Sequence, residues 1–454
     1  NSLLYFHQYQ NAAPGTPLAE LAKTGTEIAT QDRDPTRLVE RFRDDVAQGR
    51  LPQVSWIVAP EAYSEHPNFP ADYGAWYVSQ FLDVLASHPE VFARTVLFVC
   101  FDEEGGFFDH MVPPTPAASD AEGGSTVAVD LERYPGDPQH PAAPYGLGMR
   151  VPMIVVSPWS KGGWVDSELF DHTSVIRFIE ARYADEKPGL VEANITPWRR
   201  AVVGDLTSAF DFAQPHLRPP PLPSTEAYLP SDFVRHDDYP LAVPAEQSLP
   251  GQEPGVRRAR ALPYAPDLQG RFEPTDGSFR IDFGNLGRAT LVYQVRSAAG
   301  AHAPRCYTVE PQRLLGGNWP LAALGLASYA LDVHGPNGFL RAFKGEVGRG
   351  ARLLVRDSAD PGRRSLLLAL TNAGAAPVTV QVHDAYSGRR ERLRLGVGES
   401  VARSWSAAPQ RGWYELVVTV DGDPAFAVRL AGHLENGEPS ITDPLMGRVR
   451  IEGL

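Results

Sequence analysis

Residues 102–110 read Asp-Glu-Glu-Gly-Gly-Phe-Phe-Asp-His, and two shorter runs, Glu65-His66-Pro67 and Asp171-His172-Thr173, add further acids and imidazoles. Carboxylates on adjacent residues repel one another unless a cation joins them. Imidazoles brought beside such a pair can ligate a metal or donate a proton to an oxyanion. Asp102 and Glu103 are therefore candidate ligands for a divalent metal ion, and His66, His110 and His172 are candidate catalytic groups; Glu104 and Asp109 complete the acidic set. Each run also has a structural alternative. The acids can form a solvated turn, His66 can cap a turn before Pro67, and His110 can be a hydrogen-bonded core residue. Asp171 or Thr173 can cap a following helix and leave His172 exposed.

The elements that would position these groups can be read around them. Thr95–Phe101 is an apolar run of β-branched and aromatic residues, the pattern of a strand buried on both faces in a parallel sheet. Ligands of open α/β sheets sit at the carboxyl ends of strands, where this run delivers its acids. Residues 1–33 are turn-rich. Asp34-Pro35 opens a helix whose Leu38, Phe42 and Val46 share one face and which Gly49 closes. Gln53–Val58 reads as a short strand, Tyr77, Phe81, Leu82 and Leu85 mark a helix, and Val151–Val156 is a third strand. A helix with Val175, Phe178 and Ile179 on one face follows. This order predicts an α/β domain over residues 1–212, a mostly parallel sheet flanked by helices.

The texture then changes. Prolines punctuate residues 213–261, which excludes a helix or a central strand there. The aromatic residues Tyr228, Phe233 and Tyr239 favour an ordered arm over a bare linker. The rest repeats: Phe283-Gly-Asn285-Leu-Gly287 corresponds to Leu370-Thr-Asn372-Ala-Gly374, each followed by an alternating strand and later by a hairpin with a Gly/Asn/Asp turn. Two small all-β sandwiches are predicted, residues 262–348 and 349–454.

A chain of 454 residues with net charge −13 has length for two or three domains and lacks the basic balance of a nucleic-acid-binding protein. The longest apolar stretch, Leu314–Leu331, is broken by Gly316, Gly317, Asn318 and Pro320, so no span of a bilayer is read. Cys100 and Cys306 offer neither a disulfide framework nor metal-ligand spacing.

Three motifs together resemble a known family. They are Ser55-Trp-Ile-Val-Ala-Pro-Glu61 with Glu65-His66-Pro67, Phe101-Asp-Glu-Glu-Gly-Gly-Phe-Phe-Asp-His110 with Pro113-Pro114, and Gly146-Leu-Gly-Met-Arg-Val-Pro152 through Trp159. They look like the bacterial phosphoesterases that include the phosphocholine-specific phospholipases C and an acid phosphatase. The twin β modules are similar to the C-terminal repeats of the phospholipase C branch. The resemblance implies an alkaline-phosphatase-like α/β fold, incomplete at its N-terminus, and metal-assisted hydrolysis of phospholipid phosphodiesters such as phosphatidylcholine by a Ser or Thr nucleophile. A phosphomonoesterase on the same scaffold, or an inactive fragment or binding module, is the alternative. Asp102 and Glu103 match the family's metal-binding acids, and His66 matches a histidine at the phosphoryl group. His110 and His172 lie in matching motifs. The resemblance further implies a secreted or periplasmic protein that touches membrane surfaces transiently, with no nucleic-acid partner. Trp56, Tyr63, Trp76, Trp159 and Trp164 are candidates to stack on a choline headgroup. The family's remaining metal ligands and its nucleophile lie upstream of the matched motifs. The resemblance thus implies half of a metal site here, an upstream fragment completing the catalytic domain, and a chain inactive alone.

Overall fold

The computed structural model describes residues 5–23, 36–108, 110–219, 221–228, 245–248, 251, 253–297 and 302–448. The chain divides into two compact units, one of residues 1–109, 150–161 and 211–250, the other of residues 110–149, 162–210 and 251–454.

In the first unit, α1 (Thr36–Ala47) and α2 (Ala71–Ser87) pack through the faces their apolar spacing defines. Val39, Val46, Tyr63, Trp76, Tyr77, Phe81 and Val84 form the core between them, with Phe42 and Phe81 edge-on at 5.2 Å. Strand β1 (Leu97–Cys100) pairs with β2 (Met153–Val156), Leu97 opposite Val156 and Cys100 opposite Met153. That pairing is antiparallel, which corrects the parallel sheet read from the sequence. Parallel neighbours need a crossover, usually a helix, to return the chain to the same end of the sheet. Residues 101–149 hold only single-turn 3-10 segments and two- or three-residue ladders among the described residues, so no βαβ unit forms. Gln53–Val58, read as a strand, joins no ladder. Of the Pro-rich segment, Thr225 meets Ser79 of α2 through their hydroxyls at 2.9 Å, whereas Phe233 and Tyr239 lie outside the described residues.

The second unit carries α3 (Thr173–Tyr183), α4 (Pro197–Val202) and two seven-strand repeats. The first repeat comprises β3 (Pro266–Glu273), β4 (Ser278–Asn285), β5 (Leu291–Ser297), β6 (Arg305–Val309), β7 (Leu314–Trp319), β8 (Ser328–His334) and β9 (Leu340–Glu346). Its counterpart comprises β10 (Leu353–Asp360), β11 (Ser365–Asn372), β12 (Val378–Asp384), β13 (Arg390–Leu395), β14 (Ser400–Ser406), β15 (Trp413–Val420) and β16 (Asp423–His433). Each repeat builds a three-stranded sheet, β7-β4-β3 or β14-β11-β10, over four strands of a shared nine-stranded sheet. The shared sheet runs β13-β12-β15-β16-β9-β8-β5-β6 and ends on the short strand Gly123–Ser125, which is parallel to β6. The two sandwiches are therefore fused: equivalent strands β9 and β16 pair antiparallel across the junction, Arg341 opposite Leu430 and Phe343 opposite Val428. One core runs continuously from Leu262 to Leu434.

The repeated asparagine has a structural cause. Asn285 and Asn372 are buried and make the same bonds. Each amide donates to a carbonyl four residues on, Ala289 or Ala376, and to a strand-end carbonyl, Val309 for Asn285 and Leu395 and Gly396 for Asn372. Each Oδ1 accepts from the glycine two residues on, Gly287 or Gly374, at 2.9 Å. Asparagine alone combines two amide donors with an acceptor at that reach.

Candidate functional site

Strand β1 hands the chain to Phe101, Asp102 and Glu103, and the backbone then reverses as Phe107 N–H donates to Glu104 O at 2.9 Å. Gly105 and Gly106 hold φ of 59° and 83°, left-handed values that a residue with Cβ resists. A Cβ on Gly105 would lie 3.0 Å from Pro67 Cγ. The acidic turn thus packs directly on the residue that follows His66, and the structure brings these two runs together.

His66 is held from below. Tyr63, in the single 3-10 turn Glu61–Tyr63, is buried against Tyr73, Trp76 and Tyr77. Ser64 Oγ donates to Glu61 O at 2.7 Å and accepts from His66 N–H at 3.3 Å, while Phe69 N–H donates to His66 O at 2.9 Å. The ring's Nδ1 accepts from Asn68 N–H at 3.4 Å, which leaves Nε2 to carry the ring proton toward solvent. Glu65, at φ 64°, turns its side chain onto Gly74 of α2, where a Cβ would meet Glu65 Cγ at 2.2 Å. Burial first, and then the charge of Asp72, raise its pKa. Glu65 is thereby directed to the helix rather than to the acidic turn.

Asp102, Glu103 and His66 are exposed. Burial, and secondarily the charge of Asp102, push the Cys100 thiol up. Among the described residues no group of three or more His, Cys, Asp and Glu side chains could hold a metal ion. A hard divalent cation takes about six or more ligands. The two carboxylates do not by themselves fit a complete metal site.

His110 and His172 belong to the second unit, whereas His66, Asp102 and Glu103 belong to the first; Asp109 lies outside the described residues. Asp171 takes the capping role weighed in the sequence: its Oδ1 accepts from Thr173 N–H at 2.8 Å and from the Thr173 hydroxyl at 2.6 Å, at the start of α3. Its Oδ2 pairs with Arg199 at 2.6 Å. Arg199 also binds Glu132, 2 % exposed, and donates to Gly146 O at 2.7 Å. Although burial opposes its charge, the hydrogen bonds it donates to Asp171 and Glu132 carry the guanidinium pKa upward. No local motif marked Glu132 or Arg199 in the sequence, because they meet only through folding across 67 positions. His172, the residue after Asp171, has helical backbone angles (φ −59°, ψ −28°) and makes no side-chain capping bond; it is exposed, as is His110. Of the aromatic candidates for choline, Tyr63 and Trp76 are core residues, which removes them; Trp164 carries the Arg260 guanidinium over its ring at 4.4 Å.

The acid pair is exposed at the end of β1, and twin β sandwiches lie in the second unit; comparisons with known proteins match both regions. The Phosphoesterase family matches residues 1–184, and the bacterial phospholipase C C-terminal domain matches residues 258–346 and 353–433. The first part of the chain is thus similar to the phosphoesterase family and the β repeats to the C-terminal domain of bacterial phospholipases C. It is 48% identical to the non-hemolytic phospholipase C of Burkholderia pseudomallei over 98% of this chain and 64% of that protein. It is 41% identical to the non-hemolytic and 38% to the hemolytic phospholipase C of Pseudomonas aeruginosa, over 98% of this chain and 64% and 63% of those proteins. The chain thus spans slightly less than two thirds of the length of these relatives.

Proposed function

We propose that this chain serves the hydrolysis of phospholipid phosphodiester bonds, releasing diacylglycerol and phosphocholine from phosphatidylcholine. The observation that supports the reading is the close approach of Gly105, in the acidic turn, to Pro67, the residue after His66, in a chain 48% identical to a phospholipase C. In this reading Asp102 and Glu103 are two of the ligands of a divalent cation. His110 and His172 are additional catalytic groups. The hydroxyl nucleophile belongs to the part of the relatives' length that this chain does not span. The hydroxyl oxygen bonds to phosphorus as its proton passes to solvent, and the bond from phosphorus to the glycerol oxygen breaks. The Nε2 proton of His66 passes to that leaving oxygen. A water oxygen then bonds to phosphorus and the bond from phosphorus to the nucleophile's oxygen breaks, which releases phosphocholine; a water proton returns to His66 Nε2 and the nucleophile's oxygen takes a proton from solvent. In this reading the protein meets a membrane surface transiently, and its family resemblance implies a secreted or periplasmic location. Among the described residues no helix is long and apolar enough to cross a membrane.

The test uses the chain supplemented with the remaining portion of the matched relative, assayed on phosphatidylcholine vesicles and on nitrophenyl esters. Asp102→Asn and His66→Ala should each lower phosphodiester turnover by about 10²-fold or more. Turnover of a phosphate monoester in preference to the phosphorylcholine ester would turn the reading to a phosphomonoesterase. Unchanged turnover in Asp102→Asn would overturn the site.

A further inference from the structure

Pro113, Pro114 and Pro116 follow His110 closely and bring no backbone N–H, so this loop cannot tie itself into a ladder. Its carbonyls find their donors elsewhere in the second unit. Gln294 of β5 donates through its side-chain amide to Val112 O at 3.2 Å and to Pro113 O at 2.9 Å. Leu147 N–H donates to Pro114 O at 3.0 Å. Thr115 Oγ1 lies 3.5 Å from Sγ of Cys306, the residue of β6 that faces Gln294 across the ladder. Val292, two residues before Gln294 and on the same face of β5, packs with Trp198 of α4, whose Nε1–H donates to Thr308 Oγ1 at 2.9 Å. The second repeat shows a contrast. Gln381 of β12 stands as far along the chain from Gln294 as Asn372 does from Asn285, yet its amide donates to Asp421 of its own repeat. The same glutamine is a local tie in one repeat and an outward-reaching donor in the other.

We propose that Gln294 is a positioning residue for the reaction: by holding Val112 and Pro113 it fixes the loop that carries His110, and the first β repeat is the seat of that loop. The proposal rests on the reading of His110 as a catalytic group. One side-chain amide brings two N–H donors, so a single residue fixes two successive carbonyls and with them the direction in which the chain leaves His110. The other side of the loop leans on the same frame that holds His172. Gly146 lies against Thr115, where a Cβ would meet Thr115 Cγ2 at 2.5 Å. Gly146 O accepts from Arg199, which also binds Asp171, the neighbour of His172.

The experiment compares three variants of the 454-residue chain. Gln294→Glu keeps the size of the side chain and removes both donors, Gln294→Lys keeps a donor, and Gln381→Ala is the control in the second repeat. Amide order parameters of Met111, Val112 and Thr115, measured by NMR, should fall in Gln294→Glu from about 0.85 to below about 0.6, and stay at the wild-type level in the other two. The amides of β5 and β6 should keep their wild-type values in all three. Turnover is then measured on phosphatidylcholine vesicles with the chain supplemented as above. Gln294→Glu should lower kcat about tenfold or more with KM unchanged, the signature of a misplaced group that acts in the transition state, and Gln294→Lys should restore it. Unchanged order parameters at 111–115 in Gln294→Glu would overturn the proposal, as would a loosened loop with unchanged kcat. A fall that extends to β5 and β6 would also overturn it, since Gln294 would then serve only the stability of the repeat. If the supplemented wild-type chain shows no turnover, the phospholipase reading falls, and the order parameters alone decide whether Gln294 fixes the loop.

Discussion

The fused β repeats and the first unit respond differently to similar apolar content. In the repeats every alternating strand finds two sheets to bury against: Ile281, Phe283, Tyr293, Val333, Leu368, Val380 and Val418 are wholly or almost wholly buried. In the first unit two helices close a small aromatic core, but the strand-like runs beside it stay in solvent at Trp56, Val58 and Ile154. The contrast shows that an apolar strand pattern specifies a wish for partners, and only partners convert it into a sheet. It also separates structural polarity from chemical polarity. Buried charges in the repeats are paired, as in Arg341 of β9, which binds Asp357 of β10 at 2.7 Å, the Tyr414 hydroxyl at 2.9 Å and Ala431 O at 3.1 Å. The acids of the first unit stand exposed at a strand end.

The comparison breaks most visibly at Arg341, which reaches from one repeat into the other. Arg341→Ala leaves the Asp357 carboxylate nearly buried without its partner, and removal of one member of such a pair costs about 3–5 kcal/mol. Urea unfolding of the chain should show that loss in a single transition for both repeats, because they share a sheet and a core. Two separate transitions, or a loss below about 1 kcal/mol, would mean that the repeats are independent. A smaller effect tests their equivalence. Asn285→Ala and Asn372→Ala each strand buried carbonyls and a glycine N–H, at a cost of about 1–3 kcal/mol apiece. Similar losses for the two sharpen the repeat, whereas a large loss at one site alone breaks it. The smallest effect is expected on the surface of the second unit, where Asp137 accepts from the Tyr134 hydroxyl and from Gln139 and His140. Its pKa is lowered from 3.8 to about 2, first by the Tyr134 hydrogen bond. A depressed folded-state value contributes stability that is present above pH 3.8 and lost as pH falls through 2. Melting of the chain and of Asp137→Asn between pH 5 and pH 2 should therefore converge at the acid end. Parallel curves would remove the contribution.

Legibility in the sequence followed the range of the interactions. The offset between Asn285 and Asn372 exposed the repeat, and part of its bonding is local: each Oδ1 binds the glycine two residues on and each amide the carbonyl four residues on. Alternation at Leu291, Tyr293 and Val295 marked buried positions correctly because the side-chain period of a strand is fixed by its backbone. The capping role of Asp171 was weighed for the same reason, since its partner Thr173 is two residues away. The acidic turn and the His66 run were visible as residue types, but the contact of Gly105 with Pro67 joins positions 38 apart and needed coordinates.

The sequence by itself determined the local chemistry: the acids after an apolar run, the glycines that let them turn, the helix caps and the paired asparagine motifs. Tertiary structure alone decided that β1 and β2 run antiparallel, that the two sandwiches fuse through β9 and β16, and that Arg199 gathers Glu132 and Asp171. The reason is physical. Spacing along the chain fixes which face a side chain occupies, whereas partners across a sheet or an ion pair are chosen by the burial and charge compensation of the whole fold.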